Sequence, residues 1–183
     1  MTTTGTEFLP GAVVAFWQEA EPNWFVKSAA FDQDFRARFL DLHMAVAARR
    51  HDAWLDTPEG ALALLILTDQ FPRNVFRGTG HMYATDPLAR LYARTAVEAG
   101  HPERMPRNVR VFFCLPFSHS EDMADQELAV GLNIRLDTGS LSHAEGHRDI
   151  IRRFGRFPHR NPLLGRLTTA PEQVFLDAGG FAG

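Results

Sequence analysis

Cysteine and lysine are nearly missing from this chain: Cys114 is its one cysteine and, among 19 basic residues, Lys27 is its one lysine. A lone cysteine closes no internal disulfide, and with no CxxC partner Cys114 reads as an inert core thiol between Phe113 and Leu115. Long apolar runs are missing too. The longest, ALALLIL from Ala61 to Leu67, falls far short of the roughly 20 residues that cross a bilayer. The first twenty residues lack a basic segment followed by an apolar one, so no secretory leader is expected. Charge of one sign is not in excess either. The 19 basic and 22 acidic side chains leave a formal −3, which gives no general footprint for nucleic acid or a membrane surface. These absences predict a cytoplasmic protein with neither nucleic acid nor membrane as partner.

Chemical signatures are equally sparse. Ser118 and Ser120 flank His119 but sit in no GxSxG elbow, and Ser118 is readily explained as a helix cap. His143 and His147 have the i, i+4 spacing of a metal pair, yet no HExxH or carboxylate completes it, and no metal is assigned. The segment RGTGH at Arg77 to His81 is too short for a phosphate loop, and the residues leave any cofactor unknown. No period of roughly 34 residues marks a repeat array.

What the chain does have is helical periodicity nearly throughout. The length of 183 residues and 45% apolar content suit a single domain over residues 1–183, with 1–7 and 179–183 loose unless Phe181 docks. Phe31, Phe35, Phe39, Leu42 and Val46 form one stripe of a helix from Ser28 to Arg50, capped by Ser28. Thr57-Pro58 opens the next helix, with Leu62, Leu65 and Ile66 inward, and Pro72 limits it. Asp86-Pro87 starts another, with Leu88, Leu91, Tyr92 and Ala96 on its inner face and a stop at Gly100. Further helices are predicted near Gly11 to Ala20, Arg107 to Phe113, Glu121 to Leu136 and Ser142 to Phe154. Thr169 and Glu172 form a capping box for the last one. The fold class is all-α.

Polar groups interrupt this pattern at particular places. Asp69 occupies the core-facing position after Leu62 and Ile66. Glu121 ends the stripe of Ala124 and Leu128. The stripe of His143, His147, Ile150, Ile151 and Phe154 turns His147 inward. Two Phe-Pro breaks, DQFPRNVFRG from Asp69 and RFGRFPHRNPLLGR from Arg153, share a trailing arginine and asparagine. A buried charge without a partner is very costly, so the arginines beside these breaks are the expected partners. Arg73, Arg77, Arg156, Arg160 and Arg166 outnumber Asp69, Glu121 and Asp125, and gathered at one place they would favour an anionic ligand, since a guanidinium fork suits carboxylate and phosphate. The candidate ligand-binding residues are Asp69, Gln70, Arg73, Asn74, Arg77, Arg156, Arg160, Asn161 and Arg166. The candidate acid–base residues are His119, Glu121, His147 and His159.

Three strings, LILTDQFPRNVFRGTGHMYATDPLA, FFCLPFSHSEDMADQ and HRDIIRRFGRFPHRNPLLGR, resemble the bacterial family catalogued as domain of unknown function 924. The resemblance implies an α-α superhelix of roughly seven to nine helices, similar to tetratricopeptide-type folds, and no established activity. Where that family reads like GRESTPEE this chain has GRLTTAPEQ, so Leu167 stands in place of an acid. Two functions are compatible with these residues. One is a small-molecule site, holding phosphate or carboxylate on the arginines while a histidine–carboxylate pair moves a proton. The other is an adaptor groove for an acidic peptide. The histidines and the Phe-Pro-His-Arg-Asn turn favour the first. The residues do not fix an oligomeric state.

Overall fold

A computed structural model describes residues 9–181, and among them every regular element is helical. The elements are α1 (Pro10–Glu19), α2 (Ala29–Ala47), α3 (Pro58–Leu65), α4 (Phe71–Val75), α5 (Asp86–Glu98), α6 (Val111–Ser118), α7 (Met123–Leu136), α8 (Leu141–Phe154) and α9 (Ala170–Asp177), joined by short 3₁₀ turns. None is long and apolar enough to cross a membrane. Several local rules act as the sequence requires. Ser28 accepts the Phe31 N–H at the start of α2, Thr57 accepts the Gly60 N–H at the start of α3, and Thr169 and Glu172 form a capping box on α9. Each satisfies one of the N–H groups that a helix start leaves free.

Helix α3 is the centre. Residues 60 to 70 are all buried, packed by α1, α5 and α6. Such a helix has no solvent face and hence no single inner stripe. Around it consecutive helices pack in turn, α5 on α6, α6 on α7 and α7 on α8, as a superhelical stack. The N-terminal side is an aromatic core in which Phe16, Trp17, Trp24, Phe35 and Phe112 meet at centroid distances of 4.8 to 5.5 Å. A smaller core holds Ile150, Ile151 and Phe157. Cys114 lies in the main core, and burial pushes its thiol up to about 12, far from reactivity.

The structure corrects four expectations. Helix α5 is rotated, burying Ala89, Tyr92, Ala93 and Ala96 while Leu91 stays exposed, because the small alanines allow α5 close to α3. The cap of α7 is Asp122, which accepts the Ala124 and Asp125 N–H groups; Ser118 instead ends α6. On α7 the inward residues are Asp125, Gln126 and Ala129, with Ala124 exposed. On α8, His143 faces solvent.

The fifth correction concerns Pro72, which does not stop its helix. Ile66–Gln70 form a π turn that carries the rod on into α4. There the Phe71 N–H bonds the Ile66 carbonyl, freeing the Leu67 carbonyl, and Pro72 has no N–H to offer Thr68. Both orphaned carbonyls are repaired from outside, Leu67 by His43 Nδ1 at 2.8 Å and Thr68 by Thr85 Oγ1 at 2.6 Å. The buried His43 therefore carries its proton on Nδ1 and serves the backbone. The outcome is a register shift that directs Asp69 and Arg73 toward the neighbouring helices.

Of the two ends expected to be loose, residues 1–7 lie outside the described residues, as do 182 and 183. Phe181 docks, its ring 4.6 Å from that of His147 and 5.0 Å from that of His159.

Candidate functional site

The two Phe-Pro breaks meet. Asp69, at the π turn, is buried and accepts from His119 Nδ1 at 2.7 Å, from Gln70 Nε2 at 2.5 Å and from Arg73 Nη1 at 3.1 Å. Burial alone would raise its carboxyl, but Arg73 and His119 outweigh it and hold the group down at about 2. Arg73 also grips Asp86, at the start of α5, with both nitrogens at 2.8 and 3.0 Å. His119 follows α6, in a loop held by Gln126, whose amide donates to the Ser118 and Ser120 carbonyls at 2.9 and 2.6 Å. The bond to ionised Asp69 places the His119 proton on Nδ1 and leaves Nε2 as a base. Burial and Arg73 together keep this imidazole neutral, against the pull of Asp69.

Arg160 enters from the second break. Its guanidinium lies between two rings, 4.4 Å from the Phe157 centroid and 4.6 Å from that of Tyr83. It is only 6% exposed. Among the described residues its side chain makes no hydrogen bond, and its nearest carboxylate oxygen is Asp86 Oδ2 at 3.9 Å, on the group already gripped by Arg73. Burial and then Arg73 lower its pKa. Beside it stand His147 and His159, whose Nδ1 atoms are enclosed without a partner among the described residues. Burial, His119 and Arg160 push His147 down to about 3; burial and Arg160 push His159 down to about 4. Unpaired buried polar atoms are uncommon in folded proteins, and several in one place require explanation.

The remaining candidates divide clearly. Glu121 borders the cluster but is already occupied, taking Arg166 with two bonds at 2.6 and 3.0 Å and the Phe157 N–H at 2.8 Å. Burial raises its carboxyl, but Arg166 and the Phe157 N–H together outweigh burial and hold it below its usual range. Asn161 is buried beneath the turn, its amide facing Glu172. Arg156 sits on Glu172 at 2.6 and 2.9 Å, toward α9 and away from the histidines. Arg77 pairs with Asp32 of α2, and Asn74 bonds the Gln70 carbonyl and Arg77. Asp125 pairs with Arg90 and Arg94 of α5.

The expected surplus of arginine over acid is thus corrected. Asp32, Asp86 and Glu172 take up arginines that the sequence left unmatched, and of the five candidate arginines Arg160 alone lacks a hydrogen-bonded acid among the described residues. Asp86 and Tyr83 were missed in the sequence for good reason. Asp86 reads as a helix-start residue, and Tyr83 sits in a short loop with no periodicity; the signal available for both was their place in TGHMYATDP, directly after the first break.

Comparison with known proteins agrees with this architecture. The chain is similar to the solved structure of a protein of unknown function from Agrobacterium tumefaciens, with 54% identity, a TM-score of 0.90, and coverage of 93% of this chain and 97% of that one. No curated protein shows a significant match. The profile of the bacterial proteins of unknown function DUF924 matches residues 13–180. With nearly the whole described chain covered, the protein belongs to the DUF924 family.

Proposed function

We propose that the chain binds a small anionic molecule, carrying a carboxylate or phosphate, at Arg160, with Asp69 and His119 beside it as an acid–base pair. One observation carries this reading. Arg160 is a buried cation lying over two aromatic rings, Tyr83 and Phe157, with its donors unused among the described residues. Stacking on the rings covers the guanidinium faces and leaves its edge, the part that forms two parallel bonds to an anion. In such low-dielectric surroundings each bond to a charged ligand is stronger than it would be in water. The paired Arg73 and Arg166 then act as walls, and His119, with Asp69 fixing its tautomer, can accept a proton from whatever Arg160 holds.

Thermal denaturation with added phosphate and small carboxylates tests this. A ligand of the folded state alone stabilises by about 2.7 kcal/mol at a hundredfold excess over its Kd. The shift should weaken with salt, vanish in Arg160→Ala and return partly in Arg160→Lys, whose ammonium lacks the fork. If phosphates and carboxylates all leave the melting curve unmoved, the reading is wrong, and the arginines are the internal braces of a peptide-binding scaffold.

A further inference from the structure

The ionic groups of the cleft balance one another, which constrains what can enter it. Arg73, Arg160 and Arg166 stand against Asp69, Asp86 and Glu121, and His119, His147 and His159 are held neutral. A dianion would need a second open guanidinium, but the forks of Arg73 and Arg166 are filled by Asp86 and Glu121. A monoanion needs Arg160 alone. Even then the cleft would gain one unbalanced negative charge, and an uncompensated buried charge is resisted by taking up a proton.

Only one group is built to receive that proton. His119 faces Asp69 of the π turn, Arg73 of α4, Asp86 of α5, His147 of α8 and His159 of the second break. Of the three histidines it alone is bonded to a carboxylate among the described residues. His147 lies among Phe157, Phe181 and His119, and His159 against Phe157 and Phe181, with no acid bonded to either among the described residues. Burial and Arg73 keep His119 neutral. An anion on Arg160 would tip that balance, giving the pairs Arg160–ligand, His119–Asp69, Arg73–Asp86 and Arg166–Glu121.

We infer that the cleft takes a small monoanionic carboxylate together with one proton, and that the proton rests on His119. This depends on the anion-binding reading and narrows it, since phosphate dianion and sulfate are disfavoured.

The test is an NMR titration of the full chain with sodium acetate, which stays ionised from pH 8 to 6. Acetate affinity should rise by up to tenfold per unit as pH falls, with His119 ring nitrogens moving toward the imidazolium position on saturation. His119→Asn, whose amide can still donate to Asp69, should bind acetate with a flat pH profile, while His147→Gln and His159→Gln keep the slope. Should His119→Asn fail to fold, the His119 nitrogen shifts in the unaltered chain decide alone. Acetate binding that is independent of pH, or sulfate binding as tight as acetate at pH 8, overturns the inference and leaves the anion site standing. If neither acetate nor phosphate binds, both are overturned.

Discussion

The chain writes nearly the same word twice, FPRN at residues 71–74 and FPHRN at 157–161, and folds it two ways. In the first, Phe71 and Pro72 lie inside a continuous rod, and Arg73 is saturated by Asp86, Asp69 and the Asp69 carbonyl. In the second, helix α8 has already ended at Gly155, whose φ of 71° is left-handed, and Pro158 opens a single 3₁₀ turn. There the Phe157 N–H is taken by Glu121, and Arg160 meets rings rather than carboxylates. The letters set where the chain bends. Whether the arginine becomes a brace or an open donor depends on which helices pack against it.

That contrast breaks most forcefully at Arg73. Arg73→Ala leaves Asp69 and Asp86 buried with their charges stranded, so it should cost about 3–5 kcal/mol, the range for removing one partner of a buried pair. Urea denaturation would measure this as a lower midpoint at unchanged slope. A loss below about 1 kcal/mol would mean that Arg73 is as dispensable as a surface residue and the two breaks are energetically alike. A smaller loss tests why the first break stays helical. Thr85→Val preserves shape and removes the hydroxyl that serves the Thr68 carbonyl, at a cost of about 1–3 kcal/mol. If the variant melts with the parent, the carbonyl has found another donor and the repair of the proline position is not what keeps the rod continuous.

These expectations mark how far the sequence could be read. Helix starts were legible because Ser28, Thr57 and Thr169 act within three or four residues of themselves. The inward placing of His147 was legible because helical spacing sets it; Asp69 was expected inward too, but it is buried with all of residues 60–70 and aimed by the π turn. Three things were not legible. The rule that the residue before proline leaves the helical region misled at Phe71, because the repairs come from His43 and Thr85, distant in sequence. The face of α5 was misjudged because leucine outweighs alanine in any stripe, whereas close packing prefers alanine. The arginine count failed because Asp32, Asp86 and Glu172 lie 45, 13 and 16 residues from the arginines they bind, and pairing at such distances is decided by the tertiary fold.

The mildest change sharpens the comparison furthest. Arg160→Gln removes a cation that makes no hydrogen bond among the described residues, so the relief of its desolvation should offset the lost ring contacts, and stability should shift by less than about 1 kcal/mol. Its signature lies in titration. Arg160 follows burial as the chief cause that lowers His159, and ranks behind burial and His119 for His147. Both histidines should titrate higher in the variant, His159 by more, as read from their ring resonances. The sign carries into stability. An unfolded histidine takes its proton near pH 6.5, whereas the folded ones wait until about 4 and about 3, so the unfolded chain binds more protons and stability falls as pH drops from 6.5. Each contributes a slope of about 1.4 kcal/mol per pH unit across its window. Raising the folded values in Arg160→Gln ends that decline at a higher pH, making the variant relatively more acid-resistant below pH 5. If the two histidines titrate alike in both proteins, Arg160 is not an uncompensated charge beside them, and the second break is as closed as the first.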